Sequence, residues 1–377
     1  MARRVGRGVV TAWGMARRGT LPGVMLLFTA LPERLPAQTT VAAAERLLVP
    51  LVESYGVSGM EGPVRDVVTR LLPAWARAET DTAGNLWVRA GRGEPVVVFV
   101  AHLDEIGFQV TAIHDDGSLE LTPKGGFYLS LYEGRPALVH SGTQVIPGVF
   151  TPRDPTAPAT RRPASSPRVD VGTSTRAETM ALGVHLGSTV TMPKEYVRLA
   201  GTRATARSFD DRVGSAALLL AVRRLDPARL RHGVVFVWSV REEIGLEGAR
   251  AAANSLGLTP ARVHAVDTFV SADSPLELPG FALAPLGRGP VARALDNSGS
   301  TPPAYVDSLV ALAKRRGIPL QVGTTNGGND GSTFAPYGVP NVAIGWPLRY
   351  SHSPVEVVDL RDVAALGDLV RACAEEW

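Results

Sequence analysis

The sequence predicts an α/β fold, a mixed sheet flanked by helices, with a small β-domain inserted into it. Three observations predict this. Uninterrupted β-branched and aromatic runs at 95–100 and 234–240 suit strands buried on both faces. Amphipathic helical stretches accompany such runs on either side of residues 107–199. Inside 107–199 the pattern changes to short β-like runs separated by turn residues, with no helix of length.

The elements follow in order. Residues 1–39 stand outside the fold. A first catalytic segment, 40–106, opens with a helix that aligns Val41, Ala44, Leu47 and Leu48. A turn at 58–63 starts a second helix carrying Val64, Val67, Val68, Leu71 and Leu72, which Pro73 ends. A turn at 80–85 leads to a strand at 86–88, and the 95–100 run follows. The insert has strands at 109–113, 118–121, 137–140, 145–150 and 188–191 and a helical turn near 175–182. Its stretch 151–168, rich in Pro, Ala, Arg and Ser, reads as a mobile surface loop. The second catalytic segment, 200–377, has helices from Asp210 to about Leu225, at 248–256, at 305–316 and from near Leu360. Its strands are expected at 234–240, 263–266 and 341–344.

Composition narrows the function. The chain has 377 residues and a formal charge of only +3, with no basic stripe interleaved with aromatics, so nucleic-acid binding has no support. One cysteine, Cys373, excludes an internal disulfide and a thiolate metal cluster. A bound metal must then be held by His and carboxylates, which favours zinc, cobalt or manganese over an iron–sulfur site. No apolar run approaches the roughly 18–20 residues that a membrane span needs. The N-terminus is basic (Arg17, Arg18), then apolar (residues 21–31), then polar (32–38), the order of a secretory signal. Met15-Ala16-Arg17-Arg18 repeats Met1-Ala2-Arg3-Arg4, so translation starting at Met15 would give a compact signal. The expectation is a secreted or periplasmic protein, with no membrane attachment once mature, that begins after about Ala37 or Gln38. The alternative is a disordered tail on a cytoplasmic protein.

Five stretches end apolar runs with metal-ligand residues: Ala101-His102-Leu103-Asp104-Glu105, Phe209-Asp210-Asp211-Arg212, Arg241-Glu242-Glu243, Val266-Asp267 and Tyr350-Ser351-His352. Each has a bland reading as a loop histidine, a helix cap or a solvated acid pair. In open α/β sheets, however, sites lie beyond the carboxyl ends of strands. Four predicted strands deliver acids or imidazoles at that end, which coincidence explains poorly. Two divalent ions about 3.5–4 Å apart can share one carboxylate and one water, and Asp210 is short enough to be that carboxylate. In His102-x-Asp104, residues two apart in extended chain face the same way, so Asp104 can accept the imidazole N–H. Of Glu242 and Glu243, one can ligate while the other serves as base.

These stretches resemble the cocatalytic-zinc aminopeptidases of the deblocking, glutamyl-aminopeptidase type, the tetrahedral aminopeptidase family. The similarity spans about Val57 to Asp362. It includes Ser58-Gly59-x-Glu61-Gly62, Asp81-x-x-Gly84-Asn85, Gly125-Gly126, Glu242-Glu243-Ile244-Gly245-Leu246-x-Gly248 and Arg349-Tyr350-Ser351-His352-Ser353-Pro354-Val355-Glu356. The resemblance implies a zinc-peptidase-like fold and two divalent ions, Zn2+ foremost with Co2+ as the other choice. It assigns His102, Asp210 and Asp267 to one ion and Asp210, Glu243 and His352 to the other. Glu242 becomes the general base and Asp104 the support of His102. It further implies a cis peptide after Asp210, an insert that serves oligomerisation, and a homo-oligomer, possibly a dodecamer, acting on short peptides. The chain departs from the family at Gly327-Gly328-Asn329-Asp330, where Thr-Asp is usual, and at Ser271-Ala272-Asp273-Ser274-Pro275. A rival activity on the same residues is N-acyl amino acid deacylation. The endoglucanase label sometimes given to family members finds no carboxylate pair here reserved for glycoside hydrolysis.

Overall fold

The computed structural model describes residues 38–152, 166–257, 259–273 and 283–376. The expected signal at the N-terminus and most of the 151–168 loop lie outside them. Among the described residues no helix is long and apolar enough to cross a membrane.

Among the described residues, nine strands form the main sheet. Its centre is four parallel strands in the order Gly233–Ser239, Val96–His102, Pro260–Val270 and Ile344–Leu348. Antiparallel strands extend it on both sides, Leu86–Ala90 against Gly233–Ser239 and Val291–Asp296 against Ile344–Leu348. The expected alternation of buried strands is present. Among the boundaries that move, the last parallel strand starts at Ile344 rather than Asn341, and Asp267 lies inside an eleven-residue strand rather than after a four-residue one. Polar His264, Asp267 and Thr268 interrupt the apolar run, which hides the length of that strand from a hydrophobicity reading.

The Phe209–Arg224 helix is buried on every face from Phe209 to Val222. It packs with the Leu360–Glu376 and Val41–Glu53 helices, and Trp238 Nε1 of the sheet donates to the Ser215 carbonyl at 3.2 Å. Leu218, Leu219 and Leu220 are all buried, each contributing about 1.5–3 kcal/mol relative to an exposed position. The helix is regular only after its start, since Asp210 and Asp211 have non-helical torsions and the peptide between them is cis.

The insert is a closed six-stranded barrel, built from Gly107–Ile113, Leu119–Lys124, Pro136–Ser141, Gln144–Phe150, Arg168–Asp170 and Thr189–Thr191. Phe108 sits at its centre, with the rings of Phe127, Tyr132 and Phe150 at 5.1, 5.3 and 5.1 Å. The helical turn is the Arg176–Ala181 helix, closed by a reciprocal cap between Thr175 and Glu178. Three short strands that sequence periodicity did not resolve, Val197–Arg198, Arg203–Ala206 and Glu356–Asp359, form a separate small sheet.

Gly367 sets the approach of the two longest helices, because a Cβ there would stand 2.7 Å from Leu220 Cβ. Gly367→Val is expected to overpack this contact and destabilise the protein by about 1–3 kcal/mol. Because Leu220→Ala removes the Cδ1 that would stand 2.8 Å from the new Cβ, the loss in the double variant should be smaller than the sum of the single losses. Thermal melts of the single and double variants check it, and an additive double variant contradicts it.

Candidate active site

One edge of the sheet collects the ligand-type side chains. Val96–His102 ends in His102 itself. Beyond Gly233–Ser239 the chain turns through Glu242 and Glu243 before the Glu247–Leu256 helix. Asp267 comes from Pro260–Val270, and Ile344–Leu348 leads on to His352. Asp210 enters from the distorted first turn of the buried helix. Ser208, Arg241, Leu246, Tyr350 and His352 hold positive φ of 66°, 54°, 59°, 61° and 58°. These are the non-glycine residues with such torsions among the described residues, and all lie in the segments that carry the site. The left-handed conformation costs a residue with a Cβ about 1–2 kcal/mol, so the surrounding packing must hold these turns.

Asp210 is shared by two ligand sets. His102, Asp210 and Asp267 each offer one N or O atom within 4.8 Å of the others, and Asp210, Glu243 and His352 do the same. His102 Nε2 is 3.2 Å from Asp210 Oδ1. His352 Nε2 is 3.3 Å from Asp210 Oδ2 and 3.4 Å from Glu243 Oε2. Two donors each about 2.0–2.1 Å from a tetrahedral ion stand about 3.4 Å apart. The far nitrogen of each ring has a partner: His102 Nδ1 lies 3.2 Å from the Asp104 carbonyl, and His352 Nδ1 lies 2.6 Å from the Gly126 carbonyl. With Nδ1 donating in each ring, both Nε2 lone pairs meet carboxylate oxygens. Asp210 Oδ1 is buried without a hydrogen-bond donor. Acceptors aimed at one another this closely need a cation between them, so these residues fit two divalent ions.

The supports of these ligands differ in part from the sequence expectation. The Asp104 carboxylate is 3.5 Å from His102 Nδ1, farther than its own carbonyl. It accepts from Ser58 Oγ at 2.6 Å and from the backbone N–H groups of Glu242 and Glu243 at 2.9 and 3.1 Å. Asp104 therefore anchors the two glutamates as well as the imidazole. Asp211, the second acid of its pair, accepts from Gly214 N, Trp346 Nε1 and His102 N at 3.0, 3.0 and 3.3 Å. It caps the helix and ties it to two strands. Beneath the site Glu105 accepts from Arg207 at 2.5 Å, from Gly56 N at 2.7 Å and from Ser208 Oγ, and pairs with Lys194 at 2.8 Å. Burial alone would raise its pKa, but Arg207, Lys194 and Arg212 hold it far below the usual carboxylate range.

The sequence-derived residues His102, Asp104, Asp210, Glu242, Glu243, Asp267 and His352 all converge here. Sequence reasoning gave no role to Asp330, whose carboxylate accepts from Ser239 Oγ on the parallel strand that ends at the site. Its signal was the Gly-Gly-Asn-Asp run, noted only as a departure. A cavity of about 770 Å³ opens over the ligands, lined also by Phe127, Tyr128, Leu246, Val270, Asn297 and Asn326. Barrel residues thus share its wall. Gly125 permits their approach: its φ is +98°, and a Cβ there would lie 2.5 Å from Ile106 Cγ2.

Charge is unbalanced in this edge. Burial pulls the His102 pKa down, but hydrogen bonds to Asp104 and Asp210 and the charge of Glu242 hold it well above the usual imidazole value. His352 is likewise raised against burial by Glu243 and Asp210. Burial raises Asp210, and the two imidazoles more than reverse this. Burial and neighbouring acids drive Glu242 well above the usual range. Burial and Asp210 push Asp267 up to about 6, and burial pushes Asp330 up to about 7. Each of the raised values favours protons on the cluster in place of ions.

Fold and site together define a metal-dependent hydrolase, with its ligands at the carboxyl ends of parallel strands. The model of the M42 glutamyl aminopeptidases matches residues 84–369, and the chain belongs to that family. It is a metal-dependent aminopeptidase, a hydrolase of peptide bonds. The chain is similar to the lysyl aminopeptidase of Pyrococcus furiosus, 32% identical over 343 residues that cover 88% of this chain and 96% of that protein. The structure of the TET1 peptidase of Pyrococcus horikoshii matches with a TM-score of 0.82 at 32% identity, covering 89% of this chain and 100% of that one. An aminopeptidase from Desulfurococcus kamchatkensis matches with a TM-score of 0.83 at 30% identity, covering 89% and 96%.

Because both imidazoles carry raised pKa values, they hold protons that an ion must displace. Metal binding should therefore release protons, strengthen as pH rises through those raised values, and weaken below them. Calorimetry of Zn2+ binding in buffers of different ionisation enthalpy, between about pH 6 and 8, measures both effects. Binding without proton release contradicts this account of the site.

Proposed function

We propose that the enzyme removes single N-terminal residues from short peptides at a dinuclear centre, with Zn2+ as the resident ion and Co2+ as a substitute. The observation that supports this best is the Asp210 carboxylate, one oxygen facing His102 and the other facing His352. An all-imidazole and carboxylate donor set suits either ion. His102, Asp210 and Asp267 would hold one ion, and Asp210, Glu243 and His352 the other. Ions bound there lower the pKa of water and polarise a peptide carbonyl.

The chain's own groups then divide the work. Glu242 lines the cavity with its carboxylate 4.0 Å from His102 Nε2, and its backbone is held by Asp104. In this reading it takes the proton of the attacking water and returns it to the leaving amine. Glu243 is turned the other way, towards His352, and serves as a ligand.

We further infer a homo-oligomer, a dodecamer being the expected form, assembled through the barrel. The P. horikoshii TET1 peptidase can assemble into a tetrahedron or a large octahedral shell. On this chain the insert exposes the apolar side chains of Val145, Met180 and Leu186. The basic-then-apolar N-terminus supports export, with cleavage near Ala37. Light scattering and intact mass of protein from its native cell test both inferences, and a monomer or an uncleaved N-terminus contradicts the corresponding one.

The roles of the two glutamates separate in their amide variants. Glu242→Gln is expected to keep both ions and a KM within a few-fold, while kcat falls about 10²–10⁴-fold. Glu243→Gln should lose affinity for one ion and regain part of its activity in excess metal. Aminoacyl-anilide hydrolysis with metal counted per chain decides it. Metal loss in Glu242→Gln alone would exchange the roles, and full activity in both would remove the assignment.

A further inference from the structure

The motif around His352 ends in Glu356, a residue to which the chemistry above gives no task. Glu356 is 2% exposed, and both of its oxygens accept backbone N–H groups from two separate loops. Phe209 N and Asp210 N donate to Oε2 at 2.6 and 3.2 Å, and His352 N donates to Oε1 at 3.0 Å. The residue opens the Glu356–Asp359 strand, which pairs antiparallel with Arg203–Ala206 and puts Glu356 opposite Ala206. That register places the carboxylate beside the chain as it enters the turn to Asp210.

The two loops it joins carry Asp210 and His352, whose Oδ2 and Nε2 meet at 3.3 Å. Neither loop has regular backbone at that point. Ser208, two residues before Asp210, has φ 66°, and His352 has φ 58°. The ligands of the other set are better provided for, since His102 and Asp267 belong to parallel strands of the main sheet. Hydrogen bonds inside a protein gain strength from the low local dielectric, and three backbone N–H groups converge here on one buried side chain.

We propose that Glu356 is a positioning residue that fixes the spacing of Asp210 and His352, and thereby the affinity of the Asp210–Glu243–His352 set for its ion. The proposal rests on the two-ion reading above. Glu356 touches neither substrate nor reacting atoms; it acts through the backbone of two ligands. An amide in its place keeps one acceptor oxygen and sets an NH2 group against an N–H, so one of the two loops is released.

The test is Co2+ titration of metal-free, full-length protein, followed by visible absorption and calorimetry. Wild type, Glu356→Gln and Glu356→Asp are compared, with circular dichroism to verify folding. Wild type should bind two Co2+ per chain. Glu356→Gln should bind the first with affinity within about threefold and the second at least about tenfold more weakly. The absorption of the second ion should change, and kcat should recover in excess Co2+ at nearly constant KM. Glu356→Asp keeps both acceptor oxygens but is one methylene short; it should show the same asymmetry in smaller degree, and it decides the matter if the amide variant does not fold. Two ions bound with wild-type affinity and spectrum, with only a lower Tm, would make Glu356 mere structural glue and overturn the proposal. Equal weakening of both ions would overturn it too. Wild type that takes up no Co2+ would remove the two-ion reading itself, a failure visible before any variant is made.

Discussion

The constraint on which this structure depends is a carboxylate held where both of its oxygens face imidazole nitrogens. Asp210 is buried at a helix start, with His102 Nε2 3.2 Å from its Oδ1 and His352 Nε2 3.3 Å from its Oδ2. The fold surrounds the residue with devices that prevent relaxation. Asp211 caps the helix and bonds Trp346, and the helix itself is packed on every side from Phe209 to Val222. Both residues of the acid pair are buried. The parallel strands bring the other ligands to the same edge, so local strain and global topology serve one small volume.

Much of this was legible in the sequence, and the reasons are physical. Buried parallel strands leave long apolar runs, and ligand residues break those runs abruptly. His102, Glu242, Glu243 and His352 stood out because polar groups directly after such runs are conspicuous. Asp267 was visible too, but its strand was read short because polar side chains face the site from within it. The three-stranded sheet of Val197–Arg198, Arg203–Ala206 and Glu356–Asp359 was not legible. Its strands are two to four residues long, and one of its two pairings, Arg203–Ala206 with Glu356–Asp359, joins segments at least 150 residues apart, beyond the reach of local periodicity. The distinction between the Asp104 carbonyl and its carboxylate as partner of His102 depends on about 0.3 Å, the difference between 3.5 and 3.2 Å, and no pattern of residue types encodes that.

The insert is tied to the catalytic edge more closely than its separate core implies. Gly126, just after a barrel strand, supplies the carbonyl that orients His352. Lys194, just past the last barrel strand, reaches back to Glu105 and to the Ser54 carbonyl at 2.8 Å each. The aromatic cluster around Phe108 stabilises the barrel independently, yet one ligand of the site depends on it. Glu105 is the counterpart on the catalytic side. Its cation neighbours replace the solvation it loses, and it holds Gly56 and Ser208 on either flank of the ligand loops.

The five left-handed residues bear on how freely this chain can drift in sequence. Their side chains need not touch substrate for the positions to be selective, because the backbone itself discriminates. Glycine and asparagine enter that region at little cost, whereas valine and isoleucine are nearly barred from it. Leu246 and Tyr350 are therefore positions where a glycine is better tolerated than a conservative aliphatic replacement. A substitution table built on side-chain similarity would rank those exchanges in the opposite order.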